Sequence, residues 1–269
     1  LLNATVTAGD ASKTYGTTYT LGTTAFTVTG LQGSDNISGV TLTSAGAINT
    51  ANAGTYAIVP SDAVFSVGSP GNYTISYVNG TLTVNPAPLT AAVTGTPTRV
   101  YNGTTVATLA PANYALTGFV SGEGATVTQT AGTYNSKDVV TATTVSVTLA
   151  PTDFTATGAT LLSNYTLPTA ASGAGQITAY AVSMTGVRAY DSTTSVAAGI
   201  FTLNPLVGTE TLTLSGTGSV SSANAGTYTV ALGTLSLGTL ALGDGTNGGL
   251  AGNYTFTGGT QTATIGAAD

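Results

Sequence analysis

Apolar and polar residues alternate along most of this chain. Val145, Val147 and Leu149 alternate with Ser and Thr in one segment, and Leu212 and Leu214 alternate with Thr in another. A period of two places the apolar side chains on one face of a β-strand and the Thr hydroxyls on the other. No window has helical periodicity, and 36 Gly and 9 Pro separate the alternating segments at turn spacing. The pattern predicts an all-β chain.

Three short motifs recur in the same order along the sequence. The first contains a tyrosine that we name the marker tyrosine, the second is the phrase ANAGTY or a close variant, and the third is Asn-Tyr-Thr. The marker tyrosines are Tyr15, Tyr101 and Tyr190; the phrase stands at 51–56 and 223–228, and as TAGTY at 130–134; the tyrosines of Asn-Tyr-Thr, named the NYT tyrosines, are Tyr73, Tyr165 and Tyr254. The spacing indicates a repeat of about 90 residues, the size of one small domain.

The repeat predicts three tandem antiparallel β-domains, at residues 1–87, 88–179 and 180–269. An Ig-like sandwich is favoured and a β-grasp-like fold is the alternative, because alternation does not determine strand order. The joints between the domains are short, and one contains Pro86 and Pro88, which makes it stiffer than a Gly/Ser linker. Three compact domains in line would form an elongated rod roughly 90 Å long or longer.

The ANAGTY-type phrases each end in a tyrosine for which we predict a structural role. In Ig-like sandwiches, a tyrosine near the start of a late strand buries its ring and donates its hydroxyl to the backbone just upstream. Tyr56, Tyr134 and Tyr228 match that position, since each follows Ala-Gly-Thr. Stacking against a carbohydrate is the functional alternative. The marker tyrosines and the NYT tyrosines are also expected to be structural.

The few charged residues recur with the repeat. A basic residue lies two positions before each marker tyrosine, and an acid follows about 22 to 24 residues later, within one repeat length. Residues i and i+2 share a face of a strand, which places the cation beside the tyrosine ring. We therefore predict three ion pairs that set register or domain orientation: Lys13–Asp35, Arg99–Glu123 and Arg188–Glu210.

Composition excludes several classes of function. Charged residues make up 5% of the chain, the net charge is −6, and only four residues are basic, so the chain has almost nothing with which to bind nucleic acid or anionic lipid. The absence of Cys excludes disulfides and thiolate metal sites. Thr, Ser and Gly interrupt every apolar run before it reaches the roughly 18 residues of a membrane-spanning helix. The chain opens without a secretion leader, and we expect it to be a piece of a longer protein.

Chemistry at a site is poorly supported. The chain has neither His nor Cys, which supply most general bases and all sulfur nucleophiles, so we expect no enzyme and no cofactor. Calcium is the one metal considered, with Asp244 and Asn247 in a Gly-rich loop and Asp35 and Asn36 in another as weak candidate ligands. Ordinary Asp and Asn turn chemistry explains both loops equally well.

At these motifs the sequence resembles two repeat families of large bacterial exoproteins. The first repeat, with ASKTYGTTYTL, ANAGTYAI and GNYTISYVNGTLTV, resembles the MBG domain of the YGX type. The second and third repeats, with RVYNGTT and RAYDSTT, resemble YDG domains, although the tripeptides here are Tyr-Asn-Gly and Tyr-Asp-Ser. Such domains occur in tandem in filamentous-haemagglutinin-like adhesins, so the resemblance implies an extracellular stalk at the bacterial cell surface. It implies no ligand site.

Three hypotheses about function follow. The first is a spacer, in which the repeats contact one another and project a distal binding region of an adhesin. The second is self-assembly of copies into an extracellular filament or biofilm matrix fibre, because sheets usually guard their open edges with charges and this chain has few. The third is direct glycan binding through exposed Tyr and Asn.

Overall fold

The structure is a computed structural model that describes residues 1–232 and 241–268. It confirms the predicted all-β class, since the only helical elements in the described residues are single 3₁₀ turns. The strands of the first repeat are β1 (Leu2–Ala8), β2 (Ala11–Thr14), β3 (Phe26–Thr29), β4 (Asn36–Thr43), β5 (Gly54–Val67), β6 (Tyr73–Val78) and β7 (Gly80–Asn85).

The second and third repeats have shorter strands. Those of the second repeat are β8 (Ala87–Pro88), β9 (Thr90–Val93), β10 (Thr98–Val100), β11 (Val106–Thr108), β12 (Tyr114–Thr117), β13 (Gly124–Val127), β14 (Ala131–Tyr134), β15 (Thr144–Thr148), β16 (Phe154–Thr157), β17 (Tyr165–Thr166), β18 (Ala170–Ala174) and β19 (Gln176–Thr178). Those described in the third are β20 (Tyr180–Ala181), β21 (Ser183–Arg188), β22 (Ser195–Ala197), β23 (Phe201–Asn204), β24 (Leu212–Ser215), β25 (Thr217–Ser219), β26 (Gly226–Thr229), β27 (Ala241–Asp244), β28 (Tyr254–Thr255) and β29 (Gln261–Ile265).

Short 3₁₀ turns precede several strands. Three of them end at the Asn of Asn-Tyr-Thr, so that the NYT tyrosine begins the strand that follows. The turns cover Ala45–Ala47, Pro70–Asn72, Pro111–Asn113, Pro151–Asp153, Leu162–Asn164, Ala198–Ile200 and Ala251–Asn253.

The alternating pattern produces strands with one buried face. In β15, Val145 and Val147 are buried while the flanking Thr and Ser residues are exposed. Because Thr is branched at Cβ, it favours the extended backbone and keeps its hydroxyl in water. The hydroxyl-rich face of each strand is therefore the solvated one.

Within residues 1–232 and 241–268, each repeat combines antiparallel pairs with two parallel pairs. The sequence analysis predicted antiparallel domains, and the structure adds parallel pairing because the first strands of a repeat lie beside its last ones. The parallel pairs are β1–β6 and β2–β7 in the first repeat, β8–β17 and β10–β19 in the second, and β20–β28 and β21–β29 in the third.

The chain divides into two compact units, of which the first comprises Leu1–Ala91, Ala115–Thr128 and Leu149–Thr169. Its sheets have the strand orders β3-β1-β6, β2-β7-β5-β4, β13-β16 and β8-β17. Its main core consists of Val6, Ala8, Ile37, Val40, Leu42, Ile58 and Leu82, all buried.

The second unit comprises Ala92–Tyr114, Gln129–Thr148 and Ala170–Asp269. Its sheets have the strand orders β10-β19, β11-β14-β15-β18, β20-β28, β23-β21-β29-β26, β22-β25 and β24-β27. One core cluster in it consists of Met184, Val196, Val220, Val230, Ala263 and Ile265.

The boundaries of the two units differ from those of the predicted repeats. The second repeat contributes residues 88–91, 115–128 and 149–169 to the first unit and residues 92–114, 129–148 and 170–179 to the second. The division into three domains at 1–87, 88–179 and 180–269 therefore stays a prediction.

Candidate functional site

An acidic residue closes a tight turn in each repeat. In the second repeat the backbone N–H of Glu123 donates to the carbonyl of Val120 over 3.0 Å, and Gly122 takes a φ of 87°, which a glycine adopts without steric cost. The same type of hydrogen bond closes a four-residue turn at Asp35 in the first repeat and at Glu210 in the third, where the left-handed glycine is the second residue of the turn instead of the third. We name these three residues the turn acids.

The NYT tyrosine of the same repeat binds this turn. The hydroxyl of Tyr165 accepts a hydrogen bond from the Val120 N–H over 3.0 Å and donates to Oε2 of Glu123. Tyr254 makes the same two bonds with Val207 and Glu210. Tyr73 does so with Gln32 and Asp35, donating to Oδ2 of Asp35 over 2.7 Å. The arrangement is thus a repeated element of local structure.

The marker tyrosine of the preceding repeat binds the other oxygen of the turn acid. Tyr15 donates to Oε1 of Glu123 over 2.5 Å, and Tyr101 donates to Oε1 of Glu210 over 2.6 Å. Each glutamate therefore accepts hydrogen bonds from tyrosines of two consecutive repeats. We name each such contact region between consecutive repeats a junction.

The two tyrosine rings at each junction also pack against each other. The rings of Tyr15 and Tyr165 meet edge to face with centroids 5.4 Å apart, and those of Tyr101 and Tyr254 do so at 5.6 Å. Such pairs stabilise by about 0.5–1.5 kcal/mol beyond the burial of their area. The repeated ring geometry makes the two junctions closely alike.

The environment of the junction favours neutral tyrosines. Burial raises the pKa of Tyr165 to about 12, and the hydrogen bond to Glu123 acts in the same direction. The hydrogen bond to Glu123, followed by burial, raises the pKa of Tyr15. Burial and the bond to Glu210 likewise raise the pKa values of Tyr101 and Tyr254. The hydroxyls therefore act as hydrogen-bond donors rather than as bases.

An apolar cluster surrounds the first junction. It contains Tyr15, Val84, Ala87, Leu89 and Tyr165, all buried, with Phe119 and Val120 packed against them. A Cβ built on Gly16 would lie 2.5 Å from Cγ2 of Val120, so the turn of the second repeat packs directly onto the backbone after the marker tyrosine. Only glycine leaves room for this approach.

At each junction, the asparagine before the NYT tyrosine forms a second polar contact. Asn164 accepts a bond from the N–H of Ala53 over 2.8 Å and donates to Oδ1 of Asn52 over 3.0 Å. Its side chain is in effect fully buried, with 1% of the residue exposed. One role of the ANAGTY phrase in the first repeat is therefore to bind the asparagine of the next repeat.

The second junction has the same asparagine contact with different partners. Asn253 accepts from the N–H of Val139 over 2.8 Å and donates to Oδ1 of Asp138 over 2.8 Å. Lys137 adds a cation, since its Nζ lies 3.0 Å from Asp138, 3.3 Å from the Tyr101 hydroxyl and 4.0 Å from Glu210. Lys137, Asp138, Asn164 and Asn253 were missed by the sequence analysis.

The predicted ion pairs are wrong in all three repeats. Lys13 donates to the backbone carbonyls of Thr17 and Ile48. Arg99 binds Asn102 and Thr104 in its own loop. Arg188 likewise binds Asp191, which is an ion pair, and the carbonyls of Ala189 and Thr193.

Each of these cations instead binds backbone or side-chain oxygens of the loop that carries the marker tyrosine. The acids chosen as its partners, Asp35, Glu123 and Glu210, instead accept tyrosine hydroxyls. The one cation near a turn acid in the described residues is Lys137, which the repeat pattern did not single out.

The tyrosines of the ANAGTY phrases bond to backbone upstream. Tyr56 donates to the carbonyl of Asn52 over 2.9 Å, and Tyr228 donates to that of Asn224 over 3.0 Å. Tyr134 is buried and donates to the carbonyl of Pro97 over 3.0 Å, beneath the guanidinium of Arg99. Tyr56 and Tyr228 thus close a local loop, whereas Tyr134 connects distant segments.

The weak calcium candidates bind other protein groups. Asp244 accepts from the N–H of Ala251, and Asn247 donates to the carbonyl of Thr209. Asp35 accepts from Tyr73, and Asn36 donates to Ser66. No group of three or more acids that could hold a metal ion occurs within 1–232 and 241–268. In the same residues, no helix has the length and apolar character needed to cross a bilayer.

A signal in the sequence could have revealed the junctions. Tyr15 and Glu123 are 108 positions apart, and Tyr101 and Glu210 are 109 apart, so the marker-to-acid spacing is as regular between repeats as within them. Comparing only residues of the same repeat concealed this relationship.

Comparison with known proteins gives two family matches. The model for the MBG domain (YGX type) matches residues 4–83, and the model for the YDG domain matches residues 85–173. These matches confirm the resemblance proposed from the motifs of the first two repeats. No curated protein and no solved structure matches this chain.

Proposed function

The chain carries an MBG domain of the YGX type followed by a YDG domain, and on that premise we propose that it is a spacer segment of a secreted bacterial surface adhesin. Its repeats would project a distal binding region away from the cell. Its place of action would be extracellular, at the cell surface, and its partners would be the neighbouring repeats of the same protein.

The observation that carries this proposal is the sharing of each turn glutamate by two repeats. Glu123 accepts hydroxyls from Tyr15 and Tyr165, and Glu210 accepts hydroxyls from Tyr101 and Tyr254. Hydrogen bonds to a charged acceptor are stronger than neutral ones and depend on direction. A spacer needs such contacts, because flexible joints would not transmit its length.

The buried asparagines support the same function. The amide of Asn164 uses its oxygen and its nitrogen on the repeat before it, and the amide of Asn253 does the same at the second junction. Two bonds from one planar group restrict rotation between the partners as well as separation. Structure of this kind favours a mechanical role over a catalytic one, and we propose that the chain is not an enzyme.

Small-angle X-ray scattering of the isolated chain tests the proposal. We expect a maximum dimension of roughly 90 Å or more, as for three compact domains in line. The double variant Glu123→Ala/Glu210→Ala should broaden the distance distribution, because each junction loses the acceptor shared by two tyrosines. The control is Asp62→Asn, which removes an exposed carboxylate that accepts from the neighbouring Ser61 and keeps a residue type that tolerates the local φ of 50°.

Two results would overturn the spacer function. One is a maximum dimension close to that of a single globule of this mass. The other is a double variant that remains folded by circular dichroism and scatters like the parent chain, since the shared glutamates would then not set the arrangement of the repeats.

A further inference from the structure

The third repeat presents a marker tyrosine without the partner that the other two have. Tyr190 is 41% exposed, whereas Tyr15 is 7% exposed and Tyr101 only 1%. In the described part of the chain, the Tyr190 hydroxyl has no hydrogen-bond partner. The loop that carries it is nevertheless built, because Arg188 binds Asp191 and the carbonyl of Thr193 just as Arg99 binds its own loop.

The third repeat also presents the two groups that bind the junction asparagine. In the first repeat these groups are Oδ1 of Asn52 and the N–H of Ala53. The second ANAGTY phrase supplies the equivalent groups in the third repeat, namely Oδ1 of Asn224 and the N–H of Ala225, and both residues are exposed. Neither has a hydrogen-bond partner among residues 1–232 and 241–268. Tyr190, Asn224 and Ala225 together form what we name the donor half-site.

The first repeat presents the complementary groups. Asp35 accepts the Tyr73 hydroxyl at Oδ2, and its Oδ1 has no hydrogen-bond partner in the described structure, whereas Glu123 and Glu210 use both oxygens. Asn72 stands before its NYT tyrosine and is exposed, whereas the equivalent Asn164 and Asn253 are buried. Asp35 and Asn72, which lie beside the buried Tyr73, form the acceptor half-site.

We propose that a second copy of this chain docks head to tail through these half-sites. The Tyr190 hydroxyl of one copy would donate to Oδ1 of Asp35 in the next copy. The amide of Asn72 in that copy would bind the side chain of Asn224 and the N–H of Ala225. Such a contact joins two different surfaces, so it leaves one half-site free on each dimer and extends into a fibre unless a ring closes.

A second copy is the favoured occupant because every copy carries both complementary half-sites, the donor half-site on its third repeat and the acceptor half-site on its first. Tyr15 and Tyr101 already occupy Glu123 and Glu210, so Asp35 is the turn acid of this chain that keeps an oxygen for another marker tyrosine. One feature of the acceptor half-site differs from the junctions. Phe65 stacks nearly parallel on Tyr73, with centroids 5.7 Å apart, whereas marker tyrosines meet the NYT tyrosine edge on. Tyr73 is already buried, with 6% of the residue exposed, so docking uses the free oxygen of Asp35 and the exposed Asn72 rather than a new ring contact.

The docking is expected to be weak. Within the chain, the short linkers between repeats raise the effective concentration of one half-site near the other to the millimolar range. Two separate copies lack that advantage. Association should therefore become visible only as the protein concentration rises toward about 1 mM. The docking of a second copy goes beyond the spacer function, because a spacer requires no second copy.

Sedimentation velocity across a concentration series up to about 1 mM, the effective concentration of short linkers, tests the docking. We expect the weight-average mass of the parent chain to rise with concentration. Tyr190→Phe keeps the ring and removes the donor, and Asp35→Asn removes the charged acceptor. Each should weaken association by about tenfold or more, as for loss of a charge-assisted hydrogen bond. Tyr19→Phe is the control, because its hydroxyl has no hydrogen-bond partner in the described residues.

A mixture of the two variants gives the sharpest result. Tyr190→Phe keeps an intact acceptor half-site and Asp35→Asn keeps an intact donor half-site, so one productive contact forms between them. We expect dimers that do not extend further. A parent chain that stays monomeric throughout the series would overturn the docking. So would association that both variants leave unchanged, or a mixture that associates no better than either variant alone.

Discussion

Tyr15 and Glu123 lie 108 positions apart in the chain, and the hydroxyl of Tyr15 donates to Oε1 of Glu123 over 2.5 Å. The same relationship recurs between Tyr101 and Glu210. The chain makes this contact twice, between different pairs of repeats and with equivalent atoms, so consecutive repeats join in the same way. At each junction one carboxylate accepts hydrogen bonds from two tyrosines, and a chain with very few charges can therefore still orient its repeats.

Removal of the marker hydroxyl should destabilise the first junction. Tyr15→Phe keeps the ring and its edge-to-face contact with Tyr165 but removes one of the two donors to Glu123. We expect the free energy of unfolding of the transition that includes this junction to fall by about 1–3 kcal/mol, as for a hydrogen bond to a charged group. Urea unfolding followed by tyrosine fluorescence measures it.

The matched control for this variant is Tyr190→Phe. It makes the same chemical change at the same position of the repeat, where the tyrosine is exposed. At low protein concentration we expect its stability to stay within about 0.5 kcal/mol of the parent chain. Equal losses in the two variants would show that the hydroxyl of Tyr15 contributes nothing specific to the junction.

The junction asparagine should be as important as the tyrosine. Asn164→Ala removes both bonds to the first repeat and leaves the half-buried N–H of Ala53 without its acceptor. The expected loss is about 1–3 kcal/mol, the cost of an unsatisfied buried polar group. Asn72→Ala makes the same change at the equivalent exposed position and should have little effect. Thermal unfolding of the two variants gives the comparison, and a loss in Asn72→Ala that equals the loss in Asn164→Ala would contradict it.

The sequence determined the fold class more clearly than the site. Alternation at Val145 and Val147 predicts a strand with one buried face, because a period of two is a local property of the backbone, and the structure has that face buried. The ion pairs failed because charge complementarity was applied within a repeat. Lys13 donates to backbone carbonyls instead of an acid, and Glu123 accepts from tyrosines of two repeats. No local pattern encodes contacts that form only when repeats meet.

Close packing after the marker tyrosine should make Gly16 hard to replace. Gly16 has a φ of 84°, and a Cβ there would lie 2.5 Å from Val120. Gly22 has a similar φ of 67° with no atom within 4 Å of its Cβ position. Both alanine variants incur the left-handed backbone cost of about 1–2 kcal/mol, so the excess loss in Gly16→Ala measures the packing. Chemical denaturation should show that excess, and equal losses in Gly16→Ala and Gly22→Ala would show that Val120 moves aside without cost.

A substitution in the tripeptide that begins with the third marker tyrosine, Tyr190-Asp191-Ser192, should raise the stability of the folded chain. Ser192 has a φ of 59°, where the second repeat has Gly103 at 76°. Ser192→Gly relieves the strain of a left-handed serine and should leave stability unchanged or raise it by up to about 1 kcal/mol, since glycine also gains freedom in the unfolded chain. Gly103→Ser makes the reverse exchange and should destabilise, because its Cβ would lie 3.1 Å from Val207. Differential scanning calorimetry of the pair checks both signs, and stabilisation by Gly103→Ser would refute the argument.

Alkaline pH should weaken the first junction. Burial raises the pKa of Tyr165 to about 12 from the ordinary tyrosine value of about 10, so above pH 10 the unfolded chain loses the proton that the folded chain retains. The contribution of Tyr165 is fully present below pH 10 and is lost as the pH rises to about 12. A difference of two pKa units corresponds to about 2–3 kcal/mol. Unfolding midpoints between pH 9 and pH 12, with tyrosinate absorbance at each pH, measure this loss. In Tyr165→Phe the midpoint should fall less steeply over the same interval, and an identical slope in the parent chain and the variant would show that Tyr165 does not carry the effect.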